Sequence, residues 1–300
     1  LQNFIFHKKA QRKSERTIKD YQYHIITFFK KYPNCLKDDT LQESVYGYFA
    51  QEVKPHTHNL RRQYLRSFFG WAVTNGYIKD NPVDTIPKLK GEERICTIPD
   101  KIIEKLLKLP NMDTFAGLRD MILLRLQLET GMRPNEALQL KVADFQLNSN
   151  LVIIPGDVAK TRVPRTLRIS PKTVNLINEL IAVREQAEWG DDLPLLTSWN
   201  GNRLTTQSWH QRLEMHYCKK LDYKITPYEF RHTYAINFLR EGGNVMQLQQ
   251  TLGHSSLEMT RRYVHYADDE LKEAQAMYSP LNKYDDDSGK KRIKNIKRIK

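Results

Sequence analysis

From Ser14 onward the apolar residues Ile18, Tyr21, Ile25, Phe28 and Tyr32 recur at alternating intervals of three and four, and Pro33 ends the run. That period belongs to an α-helix with one buried face. Thr40 with Glu43 three residues later is a capping-box pattern ahead of Leu41, Val45 and Phe49. A further helix is expected after Pro55, with Leu60, Tyr64, Phe68 and Ala72 on one face and Gly76 as its stop. Helices with one apolar face must pack on one another, so the front of the chain is predicted to be a small all-α domain.

The helical period breaks at Asn81-Pro82 and again over Pro87-Lys-Leu-Lys-Gly91, and these stretches read as a domain junction. Three hundred residues suit two domains. The boundaries expected are a helical domain at 1–88, a linker at 89–94, a second domain at 95–284 and a basic, disordered tail at 285–300. In the second domain, residues 99–109 and 116–129 read as helices, with Gly131 closing the latter. Residues 151–154 and 165–169 read as a hairpin, and helices resume over 172–185 and 205–220. The fold class is therefore mainly α with a small antiparallel β-sheet, an α+β chain.

The net charge of +13 is unevenly spread. Residues 1–90 hold sixteen Lys and Arg against eight Asp and Glu, the middle is near neutral, and Lys290 to Lys300 add seven positive charges and no negative one. A basic front and a basic tail on a neutral body point to a polyanion partner. No apolar run approaches the ~20 residues of a membrane span. The chain opens on Leu1, which is expected to be a truncated or processed start of a soluble protein. Cys35, Cys96 and Cys218 are odd in number and scattered, which suits a reducing cytoplasm.

The residues with most chemistry lie in the last third. Thr226-Pro-Tyr-Glu reads as a helix start, with Thr226 as cap and Glu229 as box partner, so Tyr228 and Arg231 are expected to share one face of its first turns. Arg133 stands between the Gly131 stop and Pro134, with Glu136 near enough in sequence to hold it. Two rigid guanidinium groups, Arg133 and Arg231, would oppose the charge that a phosphodiester gains in its transition state. His254 lies between Gly253 and Ser255, which reads as a helix cap with Glu258, and is placed to donate to a phosphate oxygen. Tyr263, on the following helix, is the best nucleophile candidate. His56-x-His58 is too little for a metal site, and no Gly-x-x-x-x-Gly-Lys-Ser/Thr loop is present, so neither cofactor nor metal is expected.

The order and spacing of Thr130-Gly-Met-Arg133, Arg231-His232, Gly253-His254 and Tyr263 resemble the tyrosine recombinases, or phage integrases, over roughly 14–280 of this chain. The resemblance implies a helical core-binding domain followed by a catalytic domain, and strand exchange through a 3′-phosphotyrosine. Under it, Arg133 and Arg231 match the two catalytic arginines, His254 the histidine of the Gly-His motif and Tyr263 the nucleophile. Lys160, in Ala-Lys-Thr on the hairpin, resembles the mobile lysine that protonates the departing 5′ oxygen. The sequence departs from the family at Tyr228, where His or Lys is usual. A phenol, with a reference pKa of ~10, is a poor proton acceptor, which leaves His254 or water to take the nucleophile's proton. His232 is one residue out of place for the role and points about 100° away on a helix.

The resemblance also implies double-stranded DNA as partner, a tetramer assembled on two recombination sites through residues 271–281, accessory DNA-bending proteins, and a cytoplasmic, nucleoid-associated location away from any membrane. Arg61, Arg62 and Arg66 are the candidate DNA contacts of the front domain. A mobile-element role fits the Tyr228 substitution and the basic tail. The alternatives are a type IB topoisomerase-like nicking and closing enzyme, a catalytically weakened DNA-binding protein, and a helix-turn-helix repressor.

Overall fold

The computed structural model describes residues 1–36, 40–91, 95–190 and 192–267. The segment expected to dock on a neighbour, 271–281, and the tail at 285–300 lie outside the described residues, as do 92–94 of the expected linker. The chain divides into two compact units, Leu1–Arg94 and Ile95–Lys300.

The first unit contains α1 (Gln2–Ala10), α2 (Glu15–Lys31), α3 (Leu41–Phe49) and α4 (Pro55–Thr74). Ser14 caps α2 by accepting from the Thr17 amide, and Ile18, Tyr21, Ile25 and Phe28 are its buried face. On α4 the buried stripe is wider than the sequence implied, taking in Leu65 and Phe69 beside Tyr64 and Ala72. The core is dense in aromatic rings set edge to face, such as Phe4 on Tyr21 and Phe28 on Tyr48, an arrangement that adds roughly 0.5–1.5 kcal/mol per pair beyond burial.

Two local expectations fail here. Thr40 makes no capping bond, because its backbone (φ −102°, ψ 21°) is not the extended one that aims a cap side chain at the helix. The stretch from Asn81, expected to begin a junction, instead folds back on α4. Val83 and Ile86 are buried, Arg62 Nε donates to the Ile86 carbonyl at 2.5 Å, and Asn59 exchanges two hydrogen bonds with Leu89.

The second unit runs through α5 (Asp100–Leu106), α6 (Phe115–Thr130), α7 (Pro134–Ala137), β1 (Phe145–Gln146), β2 (Leu151–Ile154), β3 (Arg165–Arg168), α8 (Pro171–Gln186), α9 (Thr206–Arg212), α10 (Lys219–Leu221), α11 (Glu229–Arg240), α12 (Val245–Leu252) and α13 (Glu258–Ala267). A π-helical turn, Leu213–Cys218, joins α9 to α10. The strands form one antiparallel sheet in the order β1-β2-β3, with Leu151 opposite Arg168 and Ile154 opposite Arg165. The short β1 carried no sequence signal of its own.

Helix α6 is the axis of this unit, packed by both α8 and α11. It is buried around most of its circumference, with Leu118, Ile122, Leu123, Leu124 and Leu126 in the core. Its polar residues are satisfied within the core. Asp120 accepts from Arg119 and Arg212 and from the Tyr217 hydroxyl, while Gln127 bridges the Pro227 carbonyl and the Trp209 indole. Helix α6 ends at Gly131, which adopts the left-handed conformation (φ +62°). A Cβ there would lie 2.3 Å from Tyr234 Cδ1, so only glycine fits.

Candidate active site

Gly131 turns the chain directly into Arg133, which is the N-cap of α7. Pro134 sets the first turn, and Glu136 then reaches back to Arg133 twice. Its Oε2 accepts from the Arg133 amide and its Oε1 from Arg133 Nη1, each at 3.0 Å. The same carboxylate is held from the far side by Arg165 at the start of β3, whose Nη2 donates at 2.6 Å and Nη1 at 3.3 Å. Arg165 Nε also donates to the Thr251 carbonyl at 2.9 Å, tying β3 to the end of α12. Burial alone would raise the Glu136 pKa, but the hydrogen bonds and charge of Arg165, joined by those of Arg133, hold it below the usual carboxylate range.

Arg231 enters from α11 and is 4% exposed. Its Nη1 donates to the Gly131 carbonyl and its Nη2 to the Leu252 carbonyl, both at 2.9 Å. These are carbonyls at the C-terminal ends of α6 and α12, where helix dipoles favour a cation. Burial, then repulsion from Arg133, pushes its pKa down to about 9, so it stays charged at neutral pH.

His254 follows Gly253, the left-handed stop of α12. Its Nε2 lies 2.7 Å from Arg231 Nη2 and its Nδ1 2.8 Å from Thr260 Oγ1. The expected cap at Ser255 is not formed. Residues 255–257 make a turn, α13 begins at Glu258, and the Thr260 and Arg261 amides bond to the Leu257 carbonyl. His254 therefore does not sit at a helix N-terminus. It is fixed by Arg231 on one side and by Thr260 on the other, and burial followed by the charge of Arg231 pushes its pKa down to about 3.

Tyr263 lies on α13, which packs on α11. It is 0% exposed and its ring rests among Ala235, Ile236, Leu248 and Leu252. The ring is parallel to that of His254 (4° between planes, centroids 6.3 Å apart), and the Arg262 guanidinium carbon is 5.3 Å from its centre. Its hydroxyl is 3.0 Å from Nδ1 of His232.

Four of the residues singled out in the sequence, Arg133, Glu136, Arg231 and His254, thus form one buried cluster, with Tyr263 against its histidine. The others stand apart from it. Tyr228 is 48% exposed while Arg231 is buried, so the two do not share a face in the expected way, and α11 begins only at Glu229. Glu229 does accept from the Thr226 amide, at 3.1 Å, so half of the expected box is present. Lys160 is exposed on the β2–β3 turn, and no hydrogen bond or ion pair among the described residues links it to the arginines. In the first unit, Arg61 lies over the Tyr48 ring at 4.5 Å, Arg62 is spent on the Ile86 carbonyl, and Arg66 pairs with Asp84 at 2.6 Å.

Sequence reasoning missed Arg165 and Thr260, and set His232 aside. Arg165 shares the strand face of the buried Leu167, but a charged residue at the start of a strand reads as surface. Thr260 lies one turn before Tyr263 and could have been found as a polar residue on the inward face of α13.

What the cluster can do follows from its charge. Three guanidiniums, the buried Arg133 and Arg231 and the partly buried Arg165, surround one buried carboxylate, Glu136. Buried charge without a partner is costly, so a surplus of this kind marks a site for an anion.

The comparisons with known proteins agree. Residues 97–270 match the model of the phage integrase family. The chain is 28% identical over 304 residues to the tyrosine recombinase XerC of Thermodesulfovibrio yellowstonii, covering 95% of this chain and 98% of the relative. It is 30% identical over 232 residues to XerC of Chlamydia caviae, covering 76% and 73%. Among solved structures, it is similar in fold to XerH recombinase bound to a palindromic difH substrate, with a TM-score of 0.72, 23% identity and 90% and 82% coverage. It is also similar in fold to the Tn1549 transposon integrase in complex with transposon right end DNA, with a TM-score of 0.70, 19% identity and 91% and 98% coverage. The chain belongs to the phage integrase family, the tyrosine recombinases, enzymes of site-specific DNA recombination. These relatives do not favour the nicking-closing enzyme or the weakened DNA-binding protein. No helix among the described residues is long and apolar enough to cross a membrane.

Proposed function

We propose that this protein cleaves and rejoins double-stranded DNA with Tyr263 as nucleophile, leaving a 3′-phosphotyrosine, in the integration, excision or resolution of a mobile element. The single observation that carries the reading is the surplus of positive charge around Arg133 and Arg231, beside a tyrosine held against His254. A scissile phosphate seated there takes the Arg133 and Arg231 donors, and their geometry opposes charge growing on the non-bridging oxygens. Lys160, on an exposed turn, swings in with the DNA and protonates the 5′ oxygen as it leaves. Glu136 and Arg165 hold Arg133 in place. Because the bond energy is kept in the phosphotyrosine, rejoining needs no nucleotide.

The first unit, with Arg61, Arg62 and Arg66, is assigned to DNA binding and the second to chemistry. Arg66, exposed and paired with Asp84, is the one best placed to exchange its partner for a phosphate. Assembly as a tetramer on two sites, help from DNA-bending proteins and a location on the cytoplasmic nucleoid extend the same reading. Two-site strand exchange is tested by incubating two labelled duplexes carrying the selected site and looking for recombinant products. Products from paired sites support recombination, whereas relaxation of supercoiled DNA without them supports a nicking and closing enzyme.

A further inference from the structure

We propose that His232 accepts the phenolic proton of Tyr263 during strand cleavage, in the place of the residue that Tyr228 replaces. The inference deepens the phosphotyrosine reading and rests on it. Its ground is the 3.0 Å approach of His232 Nδ1 to the Tyr263 hydroxyl, a hydrogen-bond distance to the reacting atom itself.

The other candidates are elsewhere or already committed. Tyr228 is a phenol half in solvent. His254 stacks parallel to the Tyr263 ring, and both its nitrogens are engaged. A guanidinium has no acceptor, so Arg231 must donate to His254 Nε2. The lone pair that could take a proton is spent there, and the remaining N–H is left to face Thr260. His232 stands on the neighbouring position of α11, turned away from Arg231 and toward α13, its ring tilted 45° to that of Tyr263. A helix that places its arginine on the phosphate and its next residue on the nucleophile serves both ends of the bond being made.

The step balances without a co-reactant. The Tyr263 Oη–P bond forms and the P–O5′ bond breaks. The phenolic proton passes to His232 Nδ1, giving an imidazolium, and the 5′ oxygen takes a proton from Lys160. In rejoining, the 5′-hydroxyl returns its proton to Lys160 and the imidazolium returns the other to the leaving phenolate. The neutral ring must therefore carry its proton on Nε2, with Nδ1 accepting from the Tyr263 hydroxyl. Tyr263 is closed off from solvent, so DNA entry has to uncover Oη while leaving His232 beside it.

The experiment is single-turnover formation of the covalent adduct on a nicked duplex bearing the sequence that the wild-type protein selects from a random pool. His232→Gly is expected to slow adduct formation by about 10²-fold or more, to bind the duplex within about twofold of wild type, and to recover rate on addition of imidazole. A wild-type rate in His232→Gly, or a loss that imidazole does not touch, overturns the inference and leaves the phosphotyrosine reading standing. Absence of any adduct with the wild-type protein overturns both. A second measurement needs no variant of His232. The ¹⁵N spectrum of histidine-labelled wild-type protein should show the His232 Nδ1 as an unprotonated acceptor whose signal moves in Tyr263→Phe, and a protonated Nδ1 overturns the assignment.

Discussion

Arg231 Nη2 lies 2.7 Å from Nε2 of His254, and because a guanidinium can only donate, the imidazole nitrogen is the acceptor and Nδ1 carries the proton toward Thr260. His254 is thereby held neutral. Its folded pKa, pushed down to about 3, is far below its ordinary value of 6.5.

That depression fixes a sign. The unfolded chain takes up a proton below about pH 6.5 that the folded protein refuses, so stability is full above that pH and falls as the pH drops toward 3. At pH 5 the loss from this one group is roughly 2 kcal/mol. Urea unfolding of wild type at pH 7 and pH 5 should show this fall, and His254→Asn should show a smaller one. Equal slopes in the two proteins would contradict the burial of a neutral His254.

Glu136 anchors Arg133 and Arg165 together. Removing it by Glu136→Ala leaves two buried guanidiniums facing each other and is expected to cost about 3–5 kcal/mol in urea unfolding. Glu136→Gln keeps an acceptor for one of them and should cost less. If Glu136→Ala were as stable as wild type, the carboxylate could not be what holds the cluster.

Gly131→Ala tests the corner that delivers Arg133. The left-handed conformation costs an alanine roughly 1–2 kcal/mol, and its Cβ would strike Tyr234 and Leu252. Thermal unfolding should register a loss larger than the conformational term. Because the Gly131 carbonyl holds Arg231, the substitution is also expected to slow adduct formation.

In the first unit, the partners decide what each arginine does. Arg62→Ala removes the donor to the Ile86 carbonyl and should lower stability by about 1 kcal/mol. Arg66→Ala should leave stability nearly unchanged and lower the slope of log affinity for DNA against log salt by about one. Asp84→Asn, by releasing Arg66, is expected to tighten binding. A salt slope unmoved by Arg66→Ala would remove that residue from the DNA contacts.

The fold was legible wherever period and punctuation agreed. The α2 face, the α6 segment with its Gly131 stop and the β2–β3 hairpin were all apparent from spacing alone. Helix α1 was not, because only Phe4 and Ile5 of its apolar residues are buried while Phe6 faces solvent. Of the candidate site, Arg133, Arg231, His254 and Tyr263 were visible through motif order. Arg165 was hidden, since a charged residue opening a strand reads as surface until the carboxylate it meets, 29 residues earlier, is known. His232 was set aside by a correct angle used for the wrong question. A residue 100° from Arg231 points away from the arginine cluster, but α13 lies against that other face and brings Tyr263 to it.

The most direct measurement is denaturing electrophoresis of wild type and Tyr263→Phe after incubation with a nicked duplex bearing the selected site. The account predicts a DNA-linked band with wild type, joined through a 3′-phosphate, and none with Tyr263→Phe, although both proteins fold and bind the duplex. A band that persists in Tyr263→Phe, or tight binding by wild type with no band at all, would contradict it.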